Sequence, residues 1–225
     1  MLRGFGLRQG SLTFPLHMPQ VQTLLLRRYW KLADLQFSCW QAPPGTQACS
    51  ACSKCFEIAL VTLSQGVTPR AVGIDPVRAL LASSERTLGG PPRHRGPTLS
   101  EHRSPRHHVI RALQARSTGE VASILSADPV TTHGGRIGEA LAIYARLRAE
   151  ALAVTLPPEP GYVTDFLDLV HSDLRQPLRS ILAQHFPPTS EPEFRAMSKR
   201  ARALAAWIGE PLHADRRKRS WRRGG

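Results

Sequence analysis

The sequence predicts a mainly α-helical protein, and two observations lead to this expectation. Apolar residues recur at three- and four-residue intervals over much of the chain, which is the period of a helix with one buried face. Pro and Gly, 19 and 17 of the 225 residues, divide these apolar patterns into short segments joined by irregular connections. The predicted order is a short N-terminal strand and helix, a segment that contains every cysteine, and then a helical domain.

Each predicted element has a local sequence signal. Alternation at 11–14 predicts the strand, and Pro15 ends it. Helices are predicted at 19–34, 56–65, from 76, at 107–116, 118–127, from 137, at 164–174, from 177 and from 190 to 208. Pro177 is expected in the first turn of its helix, because proline lacks the N–H that a later turn uses. Gly66 is expected to end the second helix.

Side chains that accept hydrogen bonds from free backbone N–H groups predict where three helices begin. Asp75 is expected to cap the helix that Pro76 starts. Thr118 is expected to cap the helix that follows it. Ser190 and Glu193 have the spacing of a capping box, in which each side chain accepts from the backbone N–H of the other residue.

A basic segment rich in Pro and Gly, at 89–106, predicts a linker. It contains almost no apolar residues, so burial cannot offset the entropy lost on ordering it. We therefore expect two structured parts, 1–88 with the cysteines and 107–213 with the later helices, followed by a disordered basic tail at 214–225. A chain of 225 residues is long enough for one large or two small domains.

The four cysteines, Cys39, Cys49, Cys52 and Cys55, have the spacing of a tetrahedral zinc site. The two-residue gaps allow a tight turn to present neighbouring thiolates to one ion, and no cysteine is left over. Because protein ligands fill all four positions, the ion has no place for a catalytic water, and we expect it to be structural. An iron–sulfur cluster and two disulfides are the alternative uses of four thiols.

The chain carries 30 Lys and Arg against 17 Asp and Glu, which gives a formal net charge of +13. A charge of this size attracts polyanions such as nucleic acid but does not choose among them. The basic tail, with Trp221, is the segment through which nucleic acid would bind. No stretch has the length and apolarity of a membrane helix or a signal peptide, so no membrane partner is expected. Clustered thiols fit the reducing cytoplasm, which is the predicted location.

The surroundings of the cysteines resemble the C-terminal part of 7-cyano-7-deazaguanine synthase and its relatives. The run Phe14-Pro15-Leu16 precedes an amphipathic helix, Ser38 directly precedes Cys39, and the Cys-Ser-Lys-Cys sequence at 52–55 leads into the next helix. In that family a strand, a helix and a four-cysteine zinc site follow one another in the same order. The match covers about Ser11 to Ala82, a third of the chain.

The resemblance implies an ATP pyrophosphatase of the PP-loop type, which adenylates a carboxylate and uses ammonia to form an amide or nitrile. It also implies that 1–88 is the end of an α/β PP-loop fold, with zinc holding the region that covers the active site. The family's Ser-Gly-Gly-x-Asp-Ser loop, which binds ATP, is absent from this sequence. We therefore expect ATP to bind only where an upstream domain or partner subunit supplies that loop, and the chain to be inactive alone. Ile58 stands where the synthases have an arginine, which puts the deazaguanine substrate itself in question.

Other titratable residues are given plainer interpretations. Lys54, between two cysteines, is interpreted as an exposed residue of the knuckle turn, with neutralisation of the zinc thiolates or a contact to phosphate as the alternatives. His17 is interpreted as a helix N-terminal residue, with the rim of the missing ATP site as the alternative. Adjacent His107 and His108 are interpreted as solvated, since neighbours on a helix do not face one metal. A charged outer face, rather than a metal or acid–base set, is predicted for three residues at three-residue steps: Asp165, Asp168 and His171.

Two functional hypotheses follow from the sequence. The first is a zinc-binding C-terminal portion or subunit of a deazaguanine-synthase-like enzyme. The second is a freestanding zinc-stabilised module that binds nucleic acid or a partner protein. The segment from Ser11 to Ala82 separates them, because a freestanding module does not need a strand and helix that match the end of a larger enzyme.

Overall fold

The computed structural model describes residues 16–36, 39–86, 106–127 and 136–207, and its fold is mainly α-helical, as predicted. The α-helices are α1 (Met18–Arg28), α2 (Ser53–Ser64), α3 (Pro76–Arg86), α4 (Arg106–Ala115), α5 (Thr118–Ser126), α6 (Ile137–Leu152), α7 (Ser172–Ala183) and α8 (Glu191–Trp207). Short 3₁₀ helices lie at Trp30–Leu35, Pro69–Val72 and Thr164–Leu169. Strands β1 (Tyr162–Val163) and β2 (Pro188–Thr189) pair in parallel. None of the described helices is both long and apolar enough to cross a membrane.

The main hydrophobic core is built by helices from both sides of the predicted linker. Helices α2 and α3 contribute Phe56, Leu60 and Leu80 to one cluster. Helices α4, α5 and α6 add buried side chains to the same cluster, among them Ile110, Leu113, Val121, Leu125, Tyr144 and Leu147. The linker itself lies almost wholly outside the described residues. In the described part of the chain, one cluster thus draws on helices from both sides of 89–106, and the division into two domains stays a prediction.

A second, smaller core surrounds the cysteines. It contains three cysteines together with Leu26, Ala33, Ile58, Ala59, Val72, Ile74 and Ala79. The helix predicted at 19–34 contributes in two parts, because the α-helix ends at Arg28 and the chain continues as a 3₁₀ helix from Trp30. This change of helix type places Ala33, which is only 2% exposed, in the cysteine core.

A third core lies under α7. Leu178 and Leu182 pack with Tyr162, Leu167 and Val170, and Leu24 of α1 contacts the edge of this cluster. The single α-helix predicted at 164–174 is wrong. A 3₁₀ helix ends at Leu169, Val170 and His171 are non-helical, and α7 begins at Ser172.

Pro177 lies inside α7, five residues after its start, and not in the first turn of a separate helix. The missing N–H leaves the carbonyl of Asp173, four residues earlier, without its intrahelical partner. Both residues are exposed, so water can solvate that carbonyl. The buried face of Leu178 and Leu182 supplies the packing that keeps the helix continuous.

Two predicted helix starts are confirmed and a third is displaced by one residue. The Asp75 carboxylate accepts from the Arg78 N–H at 2.9 Å at the start of α3, and the Ser190 hydroxyl accepts from the Glu193 N–H at 3.4 Å at the start of α8. The cap of α5 is Ser117 and not Thr118. Ser117 forms a capping box with a glutamate three residues later, which Thr118 has no partner to form.

Several predicted features lie outside the described residues. These are the strand at 11–14, Ser38 of the cysteine segment, most of the linker at 89–106, the end of the last helix at 208 and the basic tail at 214–225 with Trp221.

Candidate metal centre

The four cysteines come from one loop and the start of one helix. Cys39 and Cys49 lie in the irregular segment before α2. Cys52 is the N-cap of α2, and Cys55 lies in its first turn, as the sequence predicts. The partial positive charge at a helix N-terminus favours thiolate over thiol at both positions.

The four sulfur atoms lie close enough together to bind one metal ion. All four Sγ atoms lie within 4.8 Å of one another. The Sγ–Sγ distances are 3.7 Å for Cys39 and Cys52, 3.9 Å for Cys49 and Cys55, and 3.4 Å for Cys52 and Cys55. Zinc–sulfur bonds of 2.3 Å in ideal tetrahedral geometry place neighbouring sulfurs about 3.8 Å apart. The donor set therefore fits a single tetrahedral ion.

The same distances do not fit the alternative uses of four thiols. All four cysteines are free, and a disulfide bond requires the two sulfurs to lie about 2.05 Å apart. A four-iron cluster binds each thiolate through a different iron and so needs its sulfurs spread around the whole cluster. The group formed by Cys39, Cys49, Cys52 and Cys55 is too compact for that arrangement. A site for one metal ion remains.

Backbone N–H groups point at three of the sulfurs. Cys49 N–H donates to Cys39 Sγ at 3.3 Å, Ala51 N–H to Cys49 Sγ at 3.4 Å, and Cys55 N–H to Cys52 Sγ at 3.4 Å. Such bonds favour the charged thiolate that a metal requires. Burial acts in the opposite direction and raises the pKa of Cys55. At Cys39 burial also raises the pKa, but the Cys49 N–H and the neighbouring thiols outweigh it and hold the pKa at about 7.

Two contacts outside the cysteines fix the loop to the rest of the fold. The Ser50 hydroxyl accepts from the Asp75 N–H at 2.8 Å, which joins the Cys49–Cys52 turn to the start of α3. Gln47 packs directly over Gly73, where an added Cβ would lie 2.1 Å from its Oε1. These contacts join the cysteine segment to the chain around the start of α3.

Three of the four ligands are buried. These are Cys39, Cys49 and Cys55, with Cys55 only 1% exposed, and Ile58 and Ile74 pack in the same cluster, while Cys52 is partly buried. An ion held by four protein ligands has no free position for water or substrate. The arrangement suits a structural role and offers no catalytic chemistry of its own.

No family model matches this chain, and neither a curated protein nor a solved structure is significantly similar to it. The interpretation of the site therefore rests on its geometry.

Large apolar side chains are exposed in the segment that leads into the metal site. They are Tyr29, Trp30, Leu32, Leu35 and Trp40. Trp40 directly follows the first cysteine and is 97% exposed. Cationic groups lie over two of the rings: Arg28 is 5.8 Å from the Tyr29 centroid and Lys31 Nζ is 5.7 Å from the Trp30 centroid. These five exposed side chains, with Arg28 and Lys31 over two of them, form a surface that is both apolar and basic; it is called the aromatic surface below.

The residues predicted to form a charged outer face do so. Asp168 pairs with Arg175 at 3.2 Å, and His171 lies 3.5 Å from the carboxylate of Asp173. Asp165 accepts from the backbone N–H of Glu191. These side chains pair with neighbouring surface charges or accept a backbone hydrogen bond. Among the described residues, the four cysteines are the only group of three or more potential ligands close enough together to hold an ion.

A second group of titratable residues was not predicted from the sequence. His17, His107, His108, Arg111 and Glu159 line one cavity. The interpretation of His107 and His108 as solvated is wrong, because both are partly buried and their rings lie 3.9 Å apart, centroid to centroid. His17 does lie at the start of α1, as expected, and its ring stacks on His108 at 5.1 Å. The only sequence signal was the presence of three histidines on two distant segments.

Proposed function

We propose that this protein carries a structural zinc site formed by Cys39, Cys49, Cys52 and Cys55. The observation that supports the proposal most strongly is the compact cluster of four free thiols. Zinc would stabilise a segment, 39–52, that has little regular secondary structure and few apolar residues of its own. Its binding energy would then be part of the folding energy of the cysteine core.

The test is to measure the metal content of the purified chain by elemental analysis. We expect one zinc and no iron per chain, no zinc in Cys55→Ser, and unchanged zinc in the control variant Trp40→Ala, whose side chain is almost fully exposed. Cobalt substitution should give the visible absorption of tetrahedral thiolate coordination. Iron in place of zinc, or a fully folded metal-free protein, would contradict the proposal.

We further propose that this zinc segment belongs to a deazaguanine-synthase-like, ATP-dependent enzyme whose PP-loop domain is supplied by other residues or by a separate subunit. Two observations support the assignment: the residue pattern from 11 to 82, and the aromatic surface in the segment that leads into the metal site. The PP-loop domain would cover that surface. The zinc-bound cysteine segment would then hold the surface in the conformation that binds the PP-loop domain.

This second proposal is tested by reconstitution. A PP-loop protein encoded next to this gene, or upstream in the same frame, is co-expressed with the chain, and complex formation and ATP-to-AMP conversion are measured. We expect a complex that forms AMP, and a weakened complex with Trp30→Ala. We expect the chain alone to form no AMP, so AMP formation by the chain alone, or failure of every such PP-loop protein to bind it, would count against the assignment.

The alternative function is nucleic-acid binding by the same surface. Trp30 and Trp40 offer faces for base stacking, and Arg27, Arg28 and Lys31 supply the positive charge. This alternative predicts binding to single-stranded RNA or DNA that weakens steeply as salt rises. Absence of binding at low salt would remove it without affecting the zinc proposal.

A further inference from the structure

A cavity separate from the cysteines lies where the starts of α1, α4 and α8 meet the loop that follows α6. Its volume is about 250 Å³, at the small end of ligand sites. His17, His108, Arg111 and Glu159 give it polar walls, and Phe194 and Met197 of α8 give it an apolar wall. Ligand cavities commonly combine a mostly apolar lining with a few convergent polar groups.

The cavity has an excess of basic groups. His17 precedes α1, His107, His108 and Arg111 belong to α4, and the charge of Lys54 in α2 also acts on His108. The lining residues of α8 carry no charge, and Glu159 is the one acidic side chain among the lining residues. Glu159 Oε1 lies 3.6 Å from His17 Nε2 and keeps nearly half of its side chain exposed. Arg111 therefore gives the cavity a permanent positive charge, and the histidines add to it only when they are protonated.

One of the two imidazoles that face this cavity has unused hydrogen-bonding capacity. The Nδ1 atom of His108 is buried and has no hydrogen-bond partner, whereas the His17 ring is hydrogen-bonded to the backbone of Pro160. Buried polar atoms without partners are uncommon and costly, and a bound ligand is one way to satisfy them. The His108 nitrogen can donate to an oxyanion once it carries a proton.

The geometry does not suit a metal ion at this position. His17, His108 and Glu159 do not bring their ligand atoms within 4.8 Å of one another, whereas the four cysteines do. The walls instead offer flat surfaces: the rings of His17 and His108 are stacked, and the ring of Phe194 lies 6.2 Å from that of His17. Flat aromatic walls suit a ring.

We propose that this cavity binds a small organic oxyanion, a phosphate or carboxylate carried on a single apolar ring, with the oxyanion toward His17, His108 and Arg111 and the ring toward Phe194 and Met197. Nothing in this proposal depends on the zinc site, and the two can fail independently.

Binding of such a ligand is coupled to protonation. Burial, together with the charges of His107 and Arg111, lowers the pKa of His17 to about 4. Burial and the same neighbours, with His17 and Lys54, lower the pKa of His108 to about 3. Both rings are therefore neutral at pH 7 in the unliganded protein. A bound oxyanion stabilises the imidazolium form and raises both pKa values, so ligand binding takes up protons and strengthens as the pH falls from 7 to 6.

The test is calorimetric titration of the whole zinc-loaded chain with phenyl phosphate at pH 6 and pH 7. Benzoate tests whether a carboxylate can replace the phosphate. Inorganic phosphate measures the binding of the oxyanion without a ring, and benzyl alcohol measures the binding of the ring without a charge. We expect phenyl phosphate or benzoate to bind with proton uptake, at least tenfold more tightly than inorganic phosphate or benzyl alcohol. Zinc binding in place of any anion, or equal binding of benzyl alcohol, would overturn the proposal.

Variants locate the binding to this cavity. His108→Gln and Arg111→Lys should weaken phenyl phosphate or benzoate at least tenfold, and His108→Gln should reduce the proton uptake. Arg175→Gln, which removes an exposed arginine paired with Asp168, is the matched control and should bind normally. If Arg111→Lys does not fold, because its guanidinium also bonds the Pro157 carbonyl, the His108 variant alone decides. Unchanged affinity in His108→Gln would refute the assignment.

Discussion

At the scale of single residues, Ser50 combines an unfavourable backbone conformation with a favourable contact. Its φ is +51°, the one positive value among the non-glycine residues described. A side chain in this left-handed region costs about 1 kcal/mol relative to glycine. The buried Ser50 hydroxyl accepts the 2.8 Å bond from the Asp75 N–H, which contributes about the same amount.

Replacing Ser50 in two ways separates these effects. Ser50→Ala keeps the strain and loses the bond, so we expect it to lower the free energy of unfolding by about 1 to 2 kcal/mol. Ser50→Gly loses both and should lie within about 0.5 kcal/mol of the unmodified protein. Urea denaturation of zinc-loaded protein measures both values. Equal losses in the two variants would show that the backbone strain at this position is negligible.

Gly73 provides a second test beside the metal site. Its φ is +71°, and an added Cβ would lie 2.1 Å from Oε1 and 2.7 Å from Cβ of Gln47. Gly73→Ala should therefore lower the free energy of unfolding by about 2 to 3 kcal/mol through strain and displacement of Gln47. Gly45→Ala is the matched control, because Gly45 has φ of +77° and nothing within 4 Å. It should cost only about 1 kcal/mol in the same denaturation experiment, and a similar loss in both variants would contradict the role of Gln47.

At the scale of elements, helix existence was predictable and helix ends were less so. Periodicity and caps at Asp75 and Ser190 are local properties, and the structure places those helix starts as predicted. The prediction that a helix begins at Pro177 was wrong, because it considered only the hydrogen bond that proline removes. The packing of Leu178 and Leu182 keeps α7 continuous through Pro177. Strands of two residues have no period at all, so β1 and β2 left no sequence signal.

The pairing of β1 and β2 depends on a close approach at Gly161. A Cβ there would lie 1.6 Å from the backbone carbonyl oxygen of Pro187, which cannot move as a side chain end can. Gly161→Ala should therefore break the strand pair and the bond from the Gly161 N–H to Thr189 Oγ1, at a cost of about 3 kcal/mol. Thermal melting measures the loss. The control Gly138→Ala, in α6 with nothing within 4 Å, should melt at the same or a higher temperature.

At the scale of the whole molecule, the two candidate sites differ in how far the sequence could predict them. The cysteines lie close together in the sequence, and their spacing alone predicted a common metal site. The histidine cavity is made by residues near 17, 108, 159 and 194, which only tertiary packing brings together. The main core, which joins α2 and α3 to α4 through α6, was likewise hidden by the composition of the linker.

The same cavity predicts how global stability depends on pH. In the folded protein the pKa of His17 is about 4 and that of His108 about 3, against 6.5 in an unfolded chain. As the pH falls, the unfolded state therefore binds protons before the folded state does. The two neutral rings contribute their full stability above about pH 6.5. That contribution is lost progressively as the pH falls from about 6.5 through about 4 for His17 and through about 3 for His108. For His17 alone the loss between pH 7 and pH 4 is on the order of 3 kcal/mol.

Urea denaturation at half-unit pH steps measures this dependence. The free energy of unfolding should fall less steeply with decreasing pH in His17→Gln and His108→Gln than in the unmodified protein. The surface control His171→Gln should keep the original slope, since carboxylates titrate equally in all three variants. Superimposable pH profiles for the two cavity variants and the unmodified protein would show that these imidazoles are already solvated in the folded state.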